Sequence, residues 1–337
     1  MQLKNTLKRN IPRAIVLFFL AIILIYPISS FQGAKKGLLL WFNTLLPTLL
    51  PFMILSNLIV QMKISVLLSR ILYPIFHRIF RVSKNGCYPV LIGFLSGIPV
   101  GAKTTSDMIK RGELSVEEGQ YLLGLCNNAS PMFIMSYISL TQLNRPDIRI
   151  ALLVILYSSA LFSTFIWSVL QKKQLSRSRK KLKALNMQAR ESADLAGYKS
   201  TFVNPQEDNS RFDFKKLDKS IMDAFDIITR VGGYVILFSI SAQIISDIGS
   251  SDSTLKIIVL GFIEITTGIN KISTAAFPMD IKIALITMIT AFGGLSGLAQ
   301  TKSVISDTRL SIHTYIIQKL LHMTVAFLLA AIYVHFT

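Results

Sequence analysis

Long apolar runs separated by short charged segments constrain this 337-residue chain more than any single motif does. Six runs are long enough to cross a bilayer as helices, namely residues 14–30, 37–61, 114–140, 148–170, 221–245 and 312–336. With 51% hydrophobic and 16% charged residues and a mean hydropathy of +0.52, the chain is too apolar for a water-soluble domain. The sequence therefore predicts an all-α polytopic membrane protein.

The net charge of +18 is concentrated between these runs. Basic residues precede the first run, and seven lysines and arginines follow the fourth run within residues 172–183. This is the positive-inside pattern of cytoplasmic flanks, so we expect the lipid bilayer, and no nucleic acid, as partner. The pattern predicts a multi-pass protein of the cell membrane with a cytoplasmic linker and both termini cytoplasmic.

Motifs that would indicate catalysis are missing from the sequence. There is no HExxH, Walker A, GxSxG or nucleotide-binding GxGxxG, and the four histidines lack ligand spacing. Cys87 and Cys126 lie far apart without CxxC or histidine partners, which is typical of buried small hydrophobic residues. We predict no enzyme, no metal site and no cofactor.

Two glycine-rich stretches resemble each other across 200 positions. Residues 93–107 (GFLSGIPVGAKTTSD) and 293–307 (GGLSGLAQTKSVISD) share six identities without a gap. Glycine and proline inside an apolar segment interrupt a helix, and irregular backbone at membrane depth needs protein or a wet cavity around it. We expect two re-entrant hairpins, at residues 88–110 and 281–308, with their tips inside the protein.

Other interruptions complete the predicted architecture. The run at 114–140 contains Asn127-Asn128-Ala129-Ser130-Pro131, which indicates a broken helix. Residues 64–81 have an amphipathic helical pattern typical of the membrane interface, and residues 255–272 are interpreted as its counterpart. Three crossings then separate the hairpins, so the second enters from the opposite face and the repeat is inverted.

Inverted repeats with broken helices are typical of secondary transporters, whose unwound tips form the binding site. The candidate substrate-binding residues at these tips and breaks are Ser96, Gly97, Gly101, Lys103, Asn127, Asn128, Ser130, Ser296, Gly297, Gln300 and Lys302. Helix N-termini and lysines in a partly dry cavity favour a carboxylate or phosphate. Glu264 is a candidate for a coupling ion, Na⁺ or H⁺, because an intramembrane carboxylate is costly.

Each candidate also has a structural explanation. Lys103 and Lys302 can pair with Asp107 and Asp307 or reach an interface, and the serines can serve helix packing. Asn127, Asn128 and Ser130 can cap helices, and Glu264 can be solvated if its segment is interfacial. Both explanations stay open at this point.

The stretches GFLSGIPVGAK, CNNASPMF, GFIEITTG and FGGLSG resemble the YlbJ-type sporulation integral membrane proteins of the nucleoside-recognition or Gate superfamily. The resemblance extends from about Gly37 to the C-terminus and implies the architecture of concentrative nucleoside transporters. It further implies transport of a small aromatic dianion, dipicolinate, in the sporulation branch. Ala129-Ser130 stands where Ser-Gly is expected, which leaves the cargo open. A homo-oligomer follows by analogy to the nucleoside transporters.

On this basis we divide the chain into an N-terminal transmembrane anchor (1–36), a first Gate-like repeat (37–171), a basic cytoplasmic linker (172–219) and a second Gate-like repeat (220–337). The predicted function is secondary-type transport of a small organic anion by alternating access. The alternatives are a transporter of nucleosides or other small metabolites and a non-transporting scaffold of a sporulation or envelope complex.

Overall fold

The computed structural model describes residues 2–62, 64–80, 82–186, 213–248 and 253–336, and every regular element in these ranges is a helix. The α-helices are α1 (Gln2–Ile25), α2 (Pro27–Leu40), α3 (Leu46–Gln61), α4 (Ile64–Phe80), α5 (Cys87–Ser96), α6 (Val100–Lys110), α7 (Val116–Cys126), α8 (Arg149–Asn186), α9 (Phe214–Asp247), α10 (Thr254–Ile263), α11 (Ile265–Thr274), α12 (Met279–Phe292), α13 (Gly294–Ile305) and α14 (Ile312–Phe336). Short π-helices at Trp41–Leu45 and Phe133–Gln142 and a 3₁₀ turn at Pro146–Ile148 complete the set.

Five helical stretches in the described ranges are long and apolar enough to cross a membrane. They are Pro27–Ile59, Pro146–Leu170, Phe214–Asp247, Met279–Ile305 and Ile312–Phe336. The all-helical membrane class predicted from the sequence is confirmed. The chain breaks at Tyr26, however, so the second predicted run begins about ten residues earlier than residue 37.

Helix α2 packs closely along α9 instead of standing apart from the rest of the fold. A Cβ atom on Gly33 would lie only 2.7 Å from the Ile240 Cα, and one on Gly37 only 2.9 Å from the Ile236 Cα. Small residues at these positions let the two backbones approach. Residues 27–36 therefore pack against α9, and the division of the chain at residue 36 stays a prediction.

The amphipathic helix predicted at 64–81 forms as α4, with Arg70 and Arg78 exposed. Arg81 lies outside the described residues. The predicted linker starts as a helix, because α8 continues to Asn186, and residues 187–212 of it lie outside the described ranges.

Helices α5 and α6 fold back on each other, as predicted for residues 88–110. The turn is Gly97-Ile98-Pro99, where Gly97 has a φ of +79° and the Ile98–Pro99 peptide is cis. Both helices close on the end of α7, since Cβ atoms on Gly93 and Gly101 would lie 1.8 and 2.2 Å from the Cys126 carbonyl oxygen. Glycine is required at both positions.

The second hairpin is not where the sequence repeat predicted it. Helices α10 and α11 fold back on each other around Glu264, and a Cβ on Gly268 would lie 2.1 Å from the Gly261 Cα. Residues 255–272 are therefore a helical hairpin and not the counterpart of α4. The reason is a pair of glycines that flank the break and let the two helices approach, as Gly93 and Gly101 do.

Residues 281–308, predicted as the second hairpin, form a helix that bends and continues. Helix α12 packs on α14 and α11, whereas α13 packs on α6 and α9. The bend is Gly293-Gly294, with φ values of +86° and +68° that favour glycine. Gly93 and Gly293, matched in the sequence repeat, thus have different structural roles, one inside a hairpin and one at a bend.

The ends of the two hairpins lie at opposite ends of the helix bundle. The start of α9, the end of α3 and the end of α6 share one end, where the Gln61 amide bonds the Ser220 hydroxyl and Lys110 bonds Asp307. That lysine lowers the pKa of the Asp307 carboxyl. The start of α10 instead lies beside the end of α9, where Lys256 donates to the Ser246 carbonyl oxygen. The end of α11 lies beside the end of the second π-helix, where Asn270 donates to Gln142.

Helix α14 starts at the Lys110 end of the bundle, where Ser311 bonds Gln120, and runs antiparallel to α8. The end of α14 therefore lies at the opposite end of the bundle from the start of α9, whereas the prediction placed the linker and the C-terminus on the same side. The side of the membrane on which each end lies stays a prediction. If the basic linker is cytoplasmic, α14 ends on the external side, because α12–α13 crosses where a hairpin had been expected.

Candidate functional site

Four interruptions of helices meet at one place in the middle of the bundle. They are the turn at Gly97–Pro99, the break at 127–130, Glu264 between α10 and α11, and the bend at Gly293. The Ile98 N–H donates to the Asn128 carbonyl oxygen at 2.9 Å, and the Ile98 side chain reaches the Gly293 bend. Gly294 lies against the Ile265 amide, so each hairpin tip rests on a broken helix.

A cavity of about 80 Å³ lies between these interruptions. Its polar wall is formed by Ser96, Ser130, Glu264, Thr266, Thr290, Ser296 and Gln300, and its apolar wall by side chains such as Leu45, Leu49, Phe133, Val231 and Val235. At roughly 10–15 Å³ of such space for each water, it has room for several waters or a small polar group. Glu264 is the one ionisable residue among the described residues that line it.

Glu264 is fully buried and ends α10. One carboxylate oxygen accepts from the Thr266 hydroxyl and from the Thr267 N–H, at 2.7 Å for the latter, which caps α11. The other oxygen, Oε1, has no hydrogen-bond partner among the described residues. Because an unpaired buried carboxylate oxygen is costly, this atom is available to a ligand, a cation or a proton.

The start of α13 faces the same region without a side-chain cap. Its N-cap, Gly293, provides no side-chain hydrogen bond, whereas Ser130 accepts from the Phe133 N–H in the broken helix. The first N–H groups of a helix carry partial positive charge and favour an anion or an acceptor atom. Gly293 and Gly297 at this terminus line the cavity.

The structure brings seven of the predicted site residues together in the cavity wall. They are Ser96, Gly97, Ser130, Glu264, Ser296, Gly297 and Gln300. Ser96 shares a hydrogen bond of 2.7 Å with Ser56, and the Gln300 amide donates to the Ser296 hydroxyl. The interruptions found in the sequence therefore locate the cavity, although the second hairpin was misplaced.

Five predicted residues lie elsewhere. Gly101 packs on the Cys126 carbonyl, and Lys302 is exposed. Asn127 and Asn128 are buried one layer behind the cavity, where the Asn127 amide donates to Thr301 and Tyr315.

Lys103 lines a second, larger cavity of about 230 Å³, which we call the vestibule, at the end of the bundle where α9 starts. It bonds Asp107 at 2.7 Å, as its structural explanation required, and both side chains are more than a third exposed. Arg111 and Lys219 also line this vestibule. The vestibule is also lined by Asp107 and Asp223, so its three cations leave a net positive charge that would attract an anion on its way to the first cavity.

Sequence reasoning missed a buried basic cluster on α14. Lys319 is 0% exposed and His322 is 2% exposed, and the Lys319 Nζ atom lies 3.2 Å from the His322 Nδ1 atom. A lysine and a histidine three positions apart inside an apolar run are a signal of function in a membrane helix. Lys319 and His322 have no metal-ligand spacing and do not follow a glycine-rich tip, so neither of these two criteria selects them.

The fold and the cavity define a class: a helical integral membrane protein whose interrupted helices surround a buried polar site. Over 322 aligned residues the chain is 26% identical to the sporulation integral membrane protein YlbJ of Bacillus subtilis (strain 168). The match covers 90% of this chain and 78% of that protein. The resemblance to YlbJ-type proteins is thus confirmed. No family model and no solved structure matches the chain, so the wider superfamily stays a prediction.

Proposed function

We propose that the protein is a secondary-type transporter that moves a small organic anion by alternating access. The observation that carries this proposal is the meeting of four helix interruptions around a cavity whose lining includes Glu264, a buried residue with one unpaired carboxylate oxygen. Broken helices are costly in a membrane and are retained where they form a binding site. A scaffold would gain nothing from them.

The proposed mechanism uses an inverted repeat in which the helices are paired differently from the sequence repeat. Helix α3 corresponds to α9, α5–α6 to α10–α11, the broken helix of α7 and its π-helix to α12–α13, and α8 to α14. In support, α3 packs on α9 and α8 packs on α14, and the two hairpins have their ends at opposite ends of the bundle. If the two halves exchange conformations, the cavity opens to each side in turn.

Two features support an anionic cargo such as dipicolinate. The vestibule has an excess of cations, with Lys103, Arg111 and Lys219 against Asp107 and Asp223, and the start of α13 supplies N–H donors. An ionised Glu264 would repel an anion, so this side chain must bind a proton or Na⁺ when the anion enters. That requirement keeps Glu264 as the candidate coupling site.

A second candidate cargo is a nucleoside or another neutral polar metabolite. It is favoured because the cavity is lined by hydroxyl and amide groups, and a carboxylate can accept hydrogen bonds from a neutral solute. The two cargoes make opposite demands on Glu264. A neutral Glu264→Gln side chain should preserve anion flux but weaken binding of a hydroxyl-rich solute.

The test is uptake of radiolabelled dipicolinate and uridine by proteoliposomes that contain the purified protein. We expect saturable dipicolinate uptake and a loss of about tenfold in Gln300→Leu, since one lost hydrogen bond in the cavity wall has roughly that effect. The matched control is Lys302→Gln, an exposed change on the same helix that should leave uptake unchanged. Saturable uridine uptake alone would favour the second cargo, and no saturable flux of any solute would favour the scaffold alternative.

A further inference from the structure

The buried amine of Lys319 has no carboxylate partner. Its Nζ atom lies 3.2 Å from the Asn128 Oδ1, 3.4 Å from the Asn127 carbonyl oxygen and 3.2 Å from the His322 Nδ1. The ion pairs among the described residues lie elsewhere and involve partly exposed side chains. A buried charge without a counter-ion is costly unless a role maintains it.

The place that Lys319 occupies is one where a cation is favoured. Helix α7 ends at Cys126, and the following break leaves carbonyl oxygens pointing out of the helix end with partial negative charge. In secondary transporters such half-helix ends coordinate coupling cations. Here the ammonium group of a side chain fills that position.

The hydrogen bonds of the cluster suit either proton state of the amine. An ammonium donates to all three acceptors, with the His322 Nε2–H donating to the Ser159 hydroxyl at 2.9 Å. After loss of one proton the amine can accept from His322 Nδ1–H, and Nε2 can accept from the Ser159 hydroxyl. The cluster can therefore release a proton without leaving a buried polar atom of these residues unpaired.

We propose that Lys319 is a proton-binding site whose protonation is coupled to the cargo in the cavity. The proposal rests on the anion-transport function above. Asn128 contacts Lys319 through its side chain and the first hairpin tip through its carbonyl oxygen, so the site and the cavity share this break. An anion in the cavity favours the ammonium, and an empty cavity leaves its charge without compensation. Anion and proton then move together, without Na⁺ at this position.

The titratable groups that face Lys319 are few. Helix α14 contributes Tyr315 and His322, and α7 contributes the Cys126 thiol. Helices α8 and α13 contribute the hydroxyls of Ser159 and Thr301 through the same network. Glu264 lies in the cavity wall on the second hairpin and must be varied separately.

The test measures protons taken up when dipicolinate binds, by calorimetry of the purified full-length protein in buffers of different ionisation enthalpy. We expect Lys319→Gln to take up about one proton fewer per bound dipicolinate than the wild type, because that side chain cannot be protonated. Glu264→Gln removes the separate contribution of the carboxylate, and Lys302→Gln should match the wild type. Equal proton uptake by the wild type and Lys319→Gln would overturn the proposal even though dipicolinate binds.

If dipicolinate does not bind, the proposed cargo is contradicted but the proton site is not. A second measurement, made without cargo, then tests the proton site. The difference in melting temperature between the wild type and Lys319→Gln should change between about pH 6 and about pH 9 if Lys319 exchanges a proton. A melting-temperature difference that stays constant over this pH range would contradict proton binding by Lys319. If Lys319→Gln does not fold, His322→Gln, which removes the ring nitrogen 3.2 Å from the amine, should shift the pH range over which the melting temperature of the protein changes.

Discussion

At the scale of single residues, Asn127 shows how a predicted contact can be a structural link. Its amide donates to the Thr301 hydroxyl at 2.8 Å and to the Tyr315 hydroxyl at 2.7 Å, which ties the break after α7 to α13 and α14. Its Oδ1 atom has no partner among the described residues. The amide therefore fixes the position of the break, and the cavity itself is formed by its neighbours.

We expect Asn127→Leu, which has a similar volume, to lower the free energy of unfolding by about 2 kcal/mol, or about 1 kcal/mol for each lost hydrogen bond. The measurement is thermal unfolding in detergent, with Asn85→Leu as a control because the Asn85 amide makes an exposed bond to a backbone carbonyl. If Asn127→Leu is as stable as the wild type but no longer transports, Asn127 contacts the cargo and the structural explanation fails.

Sequence reasoning at this scale found residues by their place next to breaks. Ser96, Ser130 and Gln300 were identified in this way because glycine and proline mark interruptions whatever the tertiary contacts are. Lys103 and Lys302 lie outside the lining of the first cavity, since a lysine one helical turn after a tip points along the helix toward solvent. Which helix face meets the cavity depends on packing between distant segments, which one sequence does not contain.

At the scale of elements, the two hairpins share a glycine pattern. The six identities between residues 93–107 and 293–307 do not reveal it, because they match the first hairpin with a bend. Each hairpin has a glycine on either side of its break, Gly93 and Gly101 in the first and Gly261 and Gly268 in the second. These glycines remove side chains where two helices cross closely. The bend at Gly293-Gly294 has adjacent glycines instead, so the chain changes direction without returning.

Substitution of one hairpin glycine should be severe. We expect Gly268→Ala to abolish the folded, monodisperse protein, because its Cβ would lie 2.1 Å from the Gly261 Cα and backbone would have to move. Gly233→Ala is the matched control in α9, where no atom lies within 4 Å of the added Cβ. That variant should be neutral or more stable by up to about 1 kcal/mol, as for alanine in a helix interior. Yields are compared by size-exclusion chromatography, and equal yields would contradict the close crossing of α10 and α11.

At the scale of the whole molecule, the number of crossings decides the side on which the chain ends. The sequence predicted the membrane class and the interruptions, because apolar length and glycine or proline punctuation are local properties. It did not decide whether Met279–Ile305 crosses or returns, since both alternatives have the same hydropathy. The contacts of α13 with α6 and α9 show that the helix bends and continues and does not fold back on α12.

If Met279–Ile305 crosses the membrane, the C-terminus and the start of α9 lie on opposite sides. A returning hairpin at 281–308 would put them on the same side. The exposed residues Lys219 and His335 lie at opposite ends of the bundle. In intact cells, a membrane-impermeant thiol reagent should label His335→Cys from outside, whereas Lys219→Cys should react only after the membrane is opened. The wild type is the control, because Cys87 and Cys126 are buried and should stay unlabelled. Labelling of both variants from the same side would restore a returning hairpin at 281–308, and with it two termini on one face. It would also remove the basis for pairing α12–α13 with the broken helix after α7, because a crossing helix and a hairpin cannot be equivalent in an inverted repeat.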